Sequence, residues 1–221
     1  MKAESKRNSL VSVYIIVLFS IVAWTLYVLL MAAFPNPFAN DHLRAIARVL
    51  IVLLPALFHI FRQQNISKID YLQLRQNCLR GIVVGLIISG IYLAYIIKTT
   101  MTDPIIAVPS DASIWFNFII GSPLAEELLF RGVLFNELNR STTSYWAIGI
   151  SALMFAILHL PVWIILDGMP FALLMNSFIS IFMYGLVFAM MMKFTKSLWT
   201  PLAAHWLNNL ILLSVVDSVI N

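Results

Sequence analysis

The sequence predicts an all-α protein, a polytopic transmembrane helical bundle with seven or eight spans. Its 221 residues are 61% hydrophobic and only 11% charged, about half the charged share of an average soluble domain. The apolar residues fall into runs of roughly 20, the helix length that crosses the hydrocarbon core of a bilayer. Short polar segments separate the runs. We therefore expect a single membrane domain, residues 1–221, in contact with a lipid bilayer.

The first apolar run, 10–34, follows Lys2, Lys6 and Arg7, an arrangement that also begins secretory signals. It is too long for the apolar part of a signal peptide, so we expect a retained helix. The later runs are 43–61, 81–97, 114–135, 145–166, 170–192 and 198–220.

An eighth span would result if the fourth run consisted of two segments. Gly121, Ser122 and Pro123 suit a helix cap with proline in the first turn, and they lie inside this run. We keep both counts open from the sequence.

The distribution of basic residues predicts the orientation, because loops that stay in the cytoplasm keep an excess of Lys and Arg. Alternate loops divide these residues into Lys2, Lys6, Arg7, Arg62, Lys68, Arg75, Arg80, Arg131, Arg140, Lys193 and Lys196 on one side, and Arg44, Arg48 and Lys98 on the other. The amino terminus is therefore predicted to be cytoplasmic. Arg44 and Arg48 fit least well, since they would have to snorkel at the far side of the second span.

The basic residues that set the topology also account for the net charge of +4. No basic patch with interleaved aromatic residues is present, so we expect no nucleic-acid partner. Short loops and the absence of an organelle signal favour a multi-pass protein of a bacterial plasma membrane.

Two adjacent glutamates lie in the fourth run, where carboxylates are costly and usually functional. Glu127 and Arg131 are four residues apart, on one helical face, and are expected to form an ion pair. Glu126 has the apolar Phe130 at the corresponding position. The two carboxylates thus have different environments, which is how an acid or base is tuned. The alternative is that both glutamates only join an ion-pair network at a helix end.

Two histidines and an asparagine complete the set of candidate residues. His159 lies in an uncharged run, where a lone histidine is more often a packing residue. His205 and Asn209 are four residues apart on one helical face, so both side chains can contact the same group. Burying these polar side chains and Glu126 on separate lipid-facing surfaces would cost several kcal/mol each, so we expect them to converge in the bundle interior.

These residue types predict amide hydrolysis. Glutamate with histidine can activate water, and histidine with asparagine can donate hydrogen bonds to an oxyanion. None of three possible nucleophiles is convincing: Cys78 lies in a basic loop, Ser122 is a candidate helix cap and Ser151 lies within a span. Attack by water is therefore favoured over a covalent enzyme intermediate. We expect no cofactor. Zinc is the alternative, because two histidines and a carboxylate can bind it, although the H-E-x-x-H motif is absent.

Three motifs resemble those of the CPBP family, the intramembrane proteases that include type II CAAX prenyl endopeptidases and bacterial Abi proteins linked to bacteriocin processing and self-immunity. The motifs stand in the family's order over 123–209, and they are Glu126-Glu127-xxx-Arg131, Phe155-xxx-His159 and His205-xxx-Asn209. The resemblance implies a catalytic core over 114–212.

The resemblance also implies the roles of these residues. Glu126 and His159 would activate water, and His205 and Asn209 would stabilise the oxyanion. Glu127 and Arg131 would support the site, and no metal would be needed. The substrate would be a peptide or a membrane protein.

Two other functions stay open from the sequence. A non-catalytic immunity or partner-binding membrane protein would keep the motifs as a structural polar network. A proton-coupled transporter would use the buried glutamates, although no inverted repeat is evident.

Overall fold

The computed structural model describes residues 2–34, 41–63 and 67–217. Within these residues the helices are α1 Lys2–Ala33, α2 Asp41–Arg62, α3 Lys68–Tyr71, α4 Cys78–Thr100, α5 112–141, α6 Ser144–Leu166, α7 Phe171–Thr195 and α8 Trp199–Ser214. Two short strands, β1 Pro104–Ile106 and β2 Val215–Asp217, pair antiparallel with Ile105 opposite Val216. The predicted all-α membrane bundle is confirmed, with this small ribbon as the addition.

Among the described residues, five helices are long and apolar enough to cross a membrane. They are the segments Leu10–Ala33, Asp41–Arg62, Cys78–Thr99, Ser144–Leu166 and Phe171–Thr195. The other two predicted spans are also helical. α5 carries the charged motif residues, and α8 has 16 residues. The last predicted run extends to 220, and its residues 218–220 lie outside the described part of the chain.

The backbone of α5 is continuous through the point where the sequence allowed a break. Gly121 and Ser122 both have right-handed helical dihedral angles. The Ser122 hydroxyl donates to Asn117 Oδ1, one turn earlier, at 3.2 Å. The turns before Pro123 are π-helical, and these wider turns accommodate a residue that has no N–H to donate. α5 is therefore one segment.

Small residues bring the helices of the carboxyl-terminal half into close contact. A Cβ atom at Gly85 of α4 would overlap the carbonyl oxygen of Thr200 of α8. A Cβ atom at Gly185 of α7 would lie 2.9 Å from the Cα of Ala152 of α6. Such positions let helix backbones approach in a bilayer, where association depends on close packing.

Polar contacts join three connections at one end of the bundle, which we call the basic end. Tyr71 donates its hydroxyl to Glu137 Oε1 at 2.8 Å. Asn77 Nδ2 donates to the Thr195 carbonyl, and Trp199 Nε1 donates to the Leu74 carbonyl, both at 2.9 Å. The segments 67–77, 136–143 and 195–199 thus lie together. This end carries most of the Lys and Arg residues that predict the cytoplasmic side, and the orientation itself stays a prediction.

We expect Tyr71→Phe to lower the free energy of unfolding by about 1.5–3 kcal/mol, because it removes a buried hydrogen bond to a carboxylate. Burial, together with the charge of Glu137, raises the pKa of Tyr71 above its usual range, so the hydroxyl keeps its proton and donates it. Unfolding in mixed micelles with a rising fraction of dodecyl sulfate measures the change. Tyr95→Phe, at a tyrosine that is 63% exposed, is the control and should change little.

Candidate active site

Glu126 and Glu127 lie on a short α-helical stretch of α5 that has π-helical turns on both sides. The stretch is Ser122–Glu127, and the flanking turns are Trp115–Gly121 and Leu128–Phe135. Wide turns of this kind occur often at functional sites. The Glu127 side chain is fully buried, whereas the Glu126 side chain is 15% exposed. The two carboxylates thus have different environments.

The ion pair predicted from the spacing of Glu127 and Arg131 is present. Arg131 Nη1 donates to Glu127 Oε1 at 2.9 Å, and both side chains have no exposed surface. Arg131 Nη2 donates to the carbonyl of Gly185 at 3.1 Å. The guanidinium carbon lies 4.4 Å from the ring centre of Phe155 and 5.4 Å from that of Phe188. Arg131 therefore connects α5 with α6 and α7.

Glu127 has a second partner that the sequence did not reveal. His205 Nδ1 lies 3.0 Å from the same Glu127 oxygen that Arg131 contacts. A carboxylate only accepts hydrogen bonds, so Nδ1 carries the proton and donates it. The other ring nitrogen, Nε2, then lies 4.0 Å from Glu126 Oε2. His205 of α8 thus stands between the two glutamates.

The ring of His159 is oriented by its own helix. Nδ1 lies 2.9 Å from the Phe155 carbonyl one turn earlier. The carbonyl only accepts, so Nδ1–H donates and Nε2 is the acceptor of the neutral ring. Phe155 also packs edge-on against the imidazoles of His159 and His205, at 5.1 and 5.9 Å between ring centres. This aromatic ring separates the two histidines and fixes their orientations.

Asn209 is held by contacts on both sides of its amide. Its Nδ2 donates to the Phe118 carbonyl at 2.8 Å, and its Oδ1 accepts from Asn208 Nδ2 at 3.2 Å. The amide nitrogen has two hydrogens, so one N–H is left for another acceptor. The sequence did not single out Asn208, since it lies outside the four-residue spacing that identified Asn209.

The four candidate residues line one cavity of about 540 Å³. They are Glu126, His159, His205 and Asn209. Glu126 Oε2 is buried and has no hydrogen-bond partner within the described residues. The expected convergence of the polar residues in the bundle interior is therefore what the structure shows.

The other residues considered as nucleophiles are placed differently. The Ser151 hydroxyl donates to the Phe130 carbonyl at 2.9 Å, and Cys78 begins α4 and does not line the cavity. Ser122 lines the cavity, with its hydroxyl bonded to Asn117. Among the described side chains, no three or more of His, Cys, Asp and Glu are arranged to hold a metal ion, and zinc stays the alternative prediction.

Arg48 also lines the cavity, although the sequence placed it at the membrane surface as a snorkelling residue. One feature of the sequence could have indicated this position of Arg48. The residue fits poorly to the division of Lys and Arg between the two sides of the membrane. Its neighbour Arg44, which fitted equally poorly, forms an ion pair with Asp41 one turn earlier.

Comparison with known proteins agrees with the motifs. Residues 108–211 match the family model described as type II CAAX prenyl endopeptidase Rce1-like. No curated protein and no solved structure matches the chain. The matched residues include α5, α6, α7 and most of α8, the helices that carry the polar motifs. The match covers 104 of the 221 residues, and over this region the chain resembles the type II CAAX prenyl endopeptidases.

Proposed function

We propose that this chain is an intramembrane endopeptidase that hydrolyses a peptide bond with water activated by Glu126 and His159. The observation that carries the proposal is the cavity in which a buried carboxylate oxygen without a hydrogen-bond partner lies with two imidazoles and a carboxamide. These groups supply proton acceptors and hydrogen-bond donors in one place. The match of residues 108–211 to a protease family model supports the same activity.

In the first step, water donates hydrogen bonds to Glu126 and His159, and Glu126 takes one proton from it. Glu126 Oε2 has an unused acceptor site, and His159 offers Nε2 because Nδ1–H is donated to Phe155. The water oxygen then attacks the carbonyl carbon of the substrate, and the electron pair of the C=O bond moves to its oxygen. The captured proton later passes to the leaving nitrogen as the C–N bond breaks.

The oxyanion receives hydrogen bonds from Asn209 and His205. Asn209 offers the second N–H of its amide, and its direction is fixed by the bond to Phe118. His205 donates from Nε2 in its imidazolium form, because Nδ1–H is already given to Glu127. Preorganised donors of this kind supply a large part of the rate enhancement of acyl transfer.

Glu127 and Arg131 act as positioning residues in this proposal. Arg131 fixes Glu127 through the ion pair, and Glu127 in turn fixes the ring of His205. Hydrolysis needs no cofactor in this scheme. We further propose a peptide or membrane-protein substrate, a multi-pass position in a bacterial plasma membrane with a cytoplasmic amino terminus, and a role in peptide processing or bacteriocin self-immunity.

The test is a cleavage assay with purified protein in lipid nanodiscs and a panel of membrane-associated peptides, with products identified by mass spectrometry. The wild type should yield defined fragments, and a chelator should not change the rate. Asn209→Ala should lower kcat by about 10²–10³ and leave KM nearly unchanged, as expected for the loss of one oxyanion donor.

Other outcomes would support the alternatives. Uncleaved peptides, together with protection against a bacteriocin that survives Glu126→Gln, would indicate a non-catalytic immunity protein. Solute flux in proteoliposomes without any fragments would indicate a transporter. Loss of cleavage on chelation would indicate a metal.

A further inference from the structure

Arg48 is a cation inside the cavity that holds Glu126, and the mechanism above does not use it. It lies on α2, two turns from the start of the helix at Asp41. Its guanidinium carbon is 5.5 Å from the ring centre of Trp24 and 5.0 Å from that of Phe118. Two aromatic rings from α1 and α5 therefore hold the side chain.

Arg48 differs from the arginines that have carboxylate partners. Arg44, Arg131 and Arg140 each form an ion pair, and none of the ion pairs among the described residues includes Arg48. Two carboxylates, Glu126 and Asp167, line the same cavity and interact with its charge over a longer distance. Neither is a hydrogen-bond partner.

The contacts of Arg48 leave its hydrogen-bond donors available. Rings that stack on a guanidinium use its faces, whereas the five N–H groups lie in its plane. A partly buried guanidinium without a bonded anion is costly, and a carboxylate matches its planar edge with two parallel hydrogen bonds. The rest of the cavity wall is largely apolar and suits peptide side chains; it includes Val49, Val52, Leu158 and Val162.

We propose that Arg48 binds a carboxylate of the peptide substrate and so determines which bond reaches Glu126. This inference rests on the proposed peptidase function and adds to it a specificity-determining residue, Arg48. The carboxylate belongs either to the free carboxyl terminus or to an acidic side chain. Arg48 lies outside the region that matches the family model, so the preference is a property of the amino-terminal half of this chain.

The test measures binding separately from cleavage. The parent protein is Glu126→Gln in phosphatidylcholine nanodiscs, and the probes are fluorescent apolar octapeptides. One probe ends in a free carboxylate, one in a carboxamide, and one in aspartic acid followed by a carboxamide. The parent should bind the free carboxylate at least about tenfold more tightly than the carboxamide, the gain expected for a charged hydrogen bond. The aspartate probe distinguishes the two sources of the carboxylate.

Adding Arg48→Gln to the parent should bring the affinity ratio of carboxylate to carboxamide close to one. Adding Arg44→Gln, one turn away and paired with Asp41, should keep the ratio. Equal affinity for the two probes in the parent, or an unchanged ratio after Arg48→Gln, would overturn the proposal. Displacement of the carboxylate probe by phosphatidylglycerol would also overturn it, since the anion bound would then be a lipid headgroup.

In the active protein, Arg48→Gln should raise KM for the carboxylate peptide and leave kcat nearly unchanged. If the wild type cleaves no peptide while the binding ratio behaves as expected, the proposed function fails and the carboxylate site stands. If cleavage proceeds without dependence on Arg48 in either assay, the carboxylate site fails and the proposed function stands.

Discussion

Glu126→Gln is expected to lower kcat for peptide hydrolysis by about 10²–10⁴, the usual contribution of a general base. Glutamine has nearly the shape of glutamate but cannot accept the proton of the attacking water. KM should change little, because the cavity keeps its form. Initial rates of fragment release, measured over a range of peptide concentrations, give both constants.

Glu137→Gln is the matched control for this substitution. It lies on the same helix and is also buried, but its contacts are with His59, Tyr71 and Arg140 at the basic end. Turnover per folded molecule should stay near that of the wild type. Equal turnover of Glu126→Gln and Glu137→Gln would contradict the role of Glu126 as the base.

Arg131→Met should destabilise the protein by about 3–5 kcal/mol, the largest effect on stability that we expect. The substitution leaves the Glu127 carboxylate fully buried without its arginine, and uncompensated buried charges are costly. It also removes the hydrogen bond to Gly185 of α7. Unfolding by dodecyl sulfate in mixed micelles, followed by circular dichroism, measures the loss.

Two further variants make the stability prediction specific. The double variant Glu127→Gln, Arg131→Met should be more stable than Arg131→Met alone, since it also removes the buried charge of Glu127 that has lost its arginine partner. Arg140→Met breaks an ion pair whose arginine is 40% exposed, and it should cost at most about 1 kcal/mol. Equal losses for Arg131→Met and Arg140→Met would show that burial of the Glu127–Arg131 pair has no special effect.

The helices could be predicted from the sequence because apolar runs of membrane length leave little choice of structure. The continuity of α5 could not. Ser122 followed by Pro123 is typical of a helix start, and only the π-helical turns before the proline show how the helix passes through it. Turn width depends on packing against neighbouring helices, which local sequence patterns do not describe.

The site was predictable where its contacts are local. The spacing of Glu127 and Arg131 gave their ion pair, because both lie on one helix. The bond between Glu127 and His205 joins helices whose residues are 78 positions apart, and their relative rotation is a result of tertiary packing. The place of Arg48 in the cavity has the same cause. The periodicity of a sequence shows which residues share one face of a helix. It does not show which other helix packs against that face.

The cavity lies toward one end of the bundle, and the basic connections lie at the other. Its exposed lining residues are Phe118 near the start of α5, Leu166 and Asp167 at the end of α6, and Leu212 near the end of α8. We therefore expect substrate to reach the site from one side of the bilayer. In oriented vesicles, a water-soluble peptide supplied on one side alone should encounter Glu126, and the same peptide supplied on the other should meet only arginine- and lysine-rich loops.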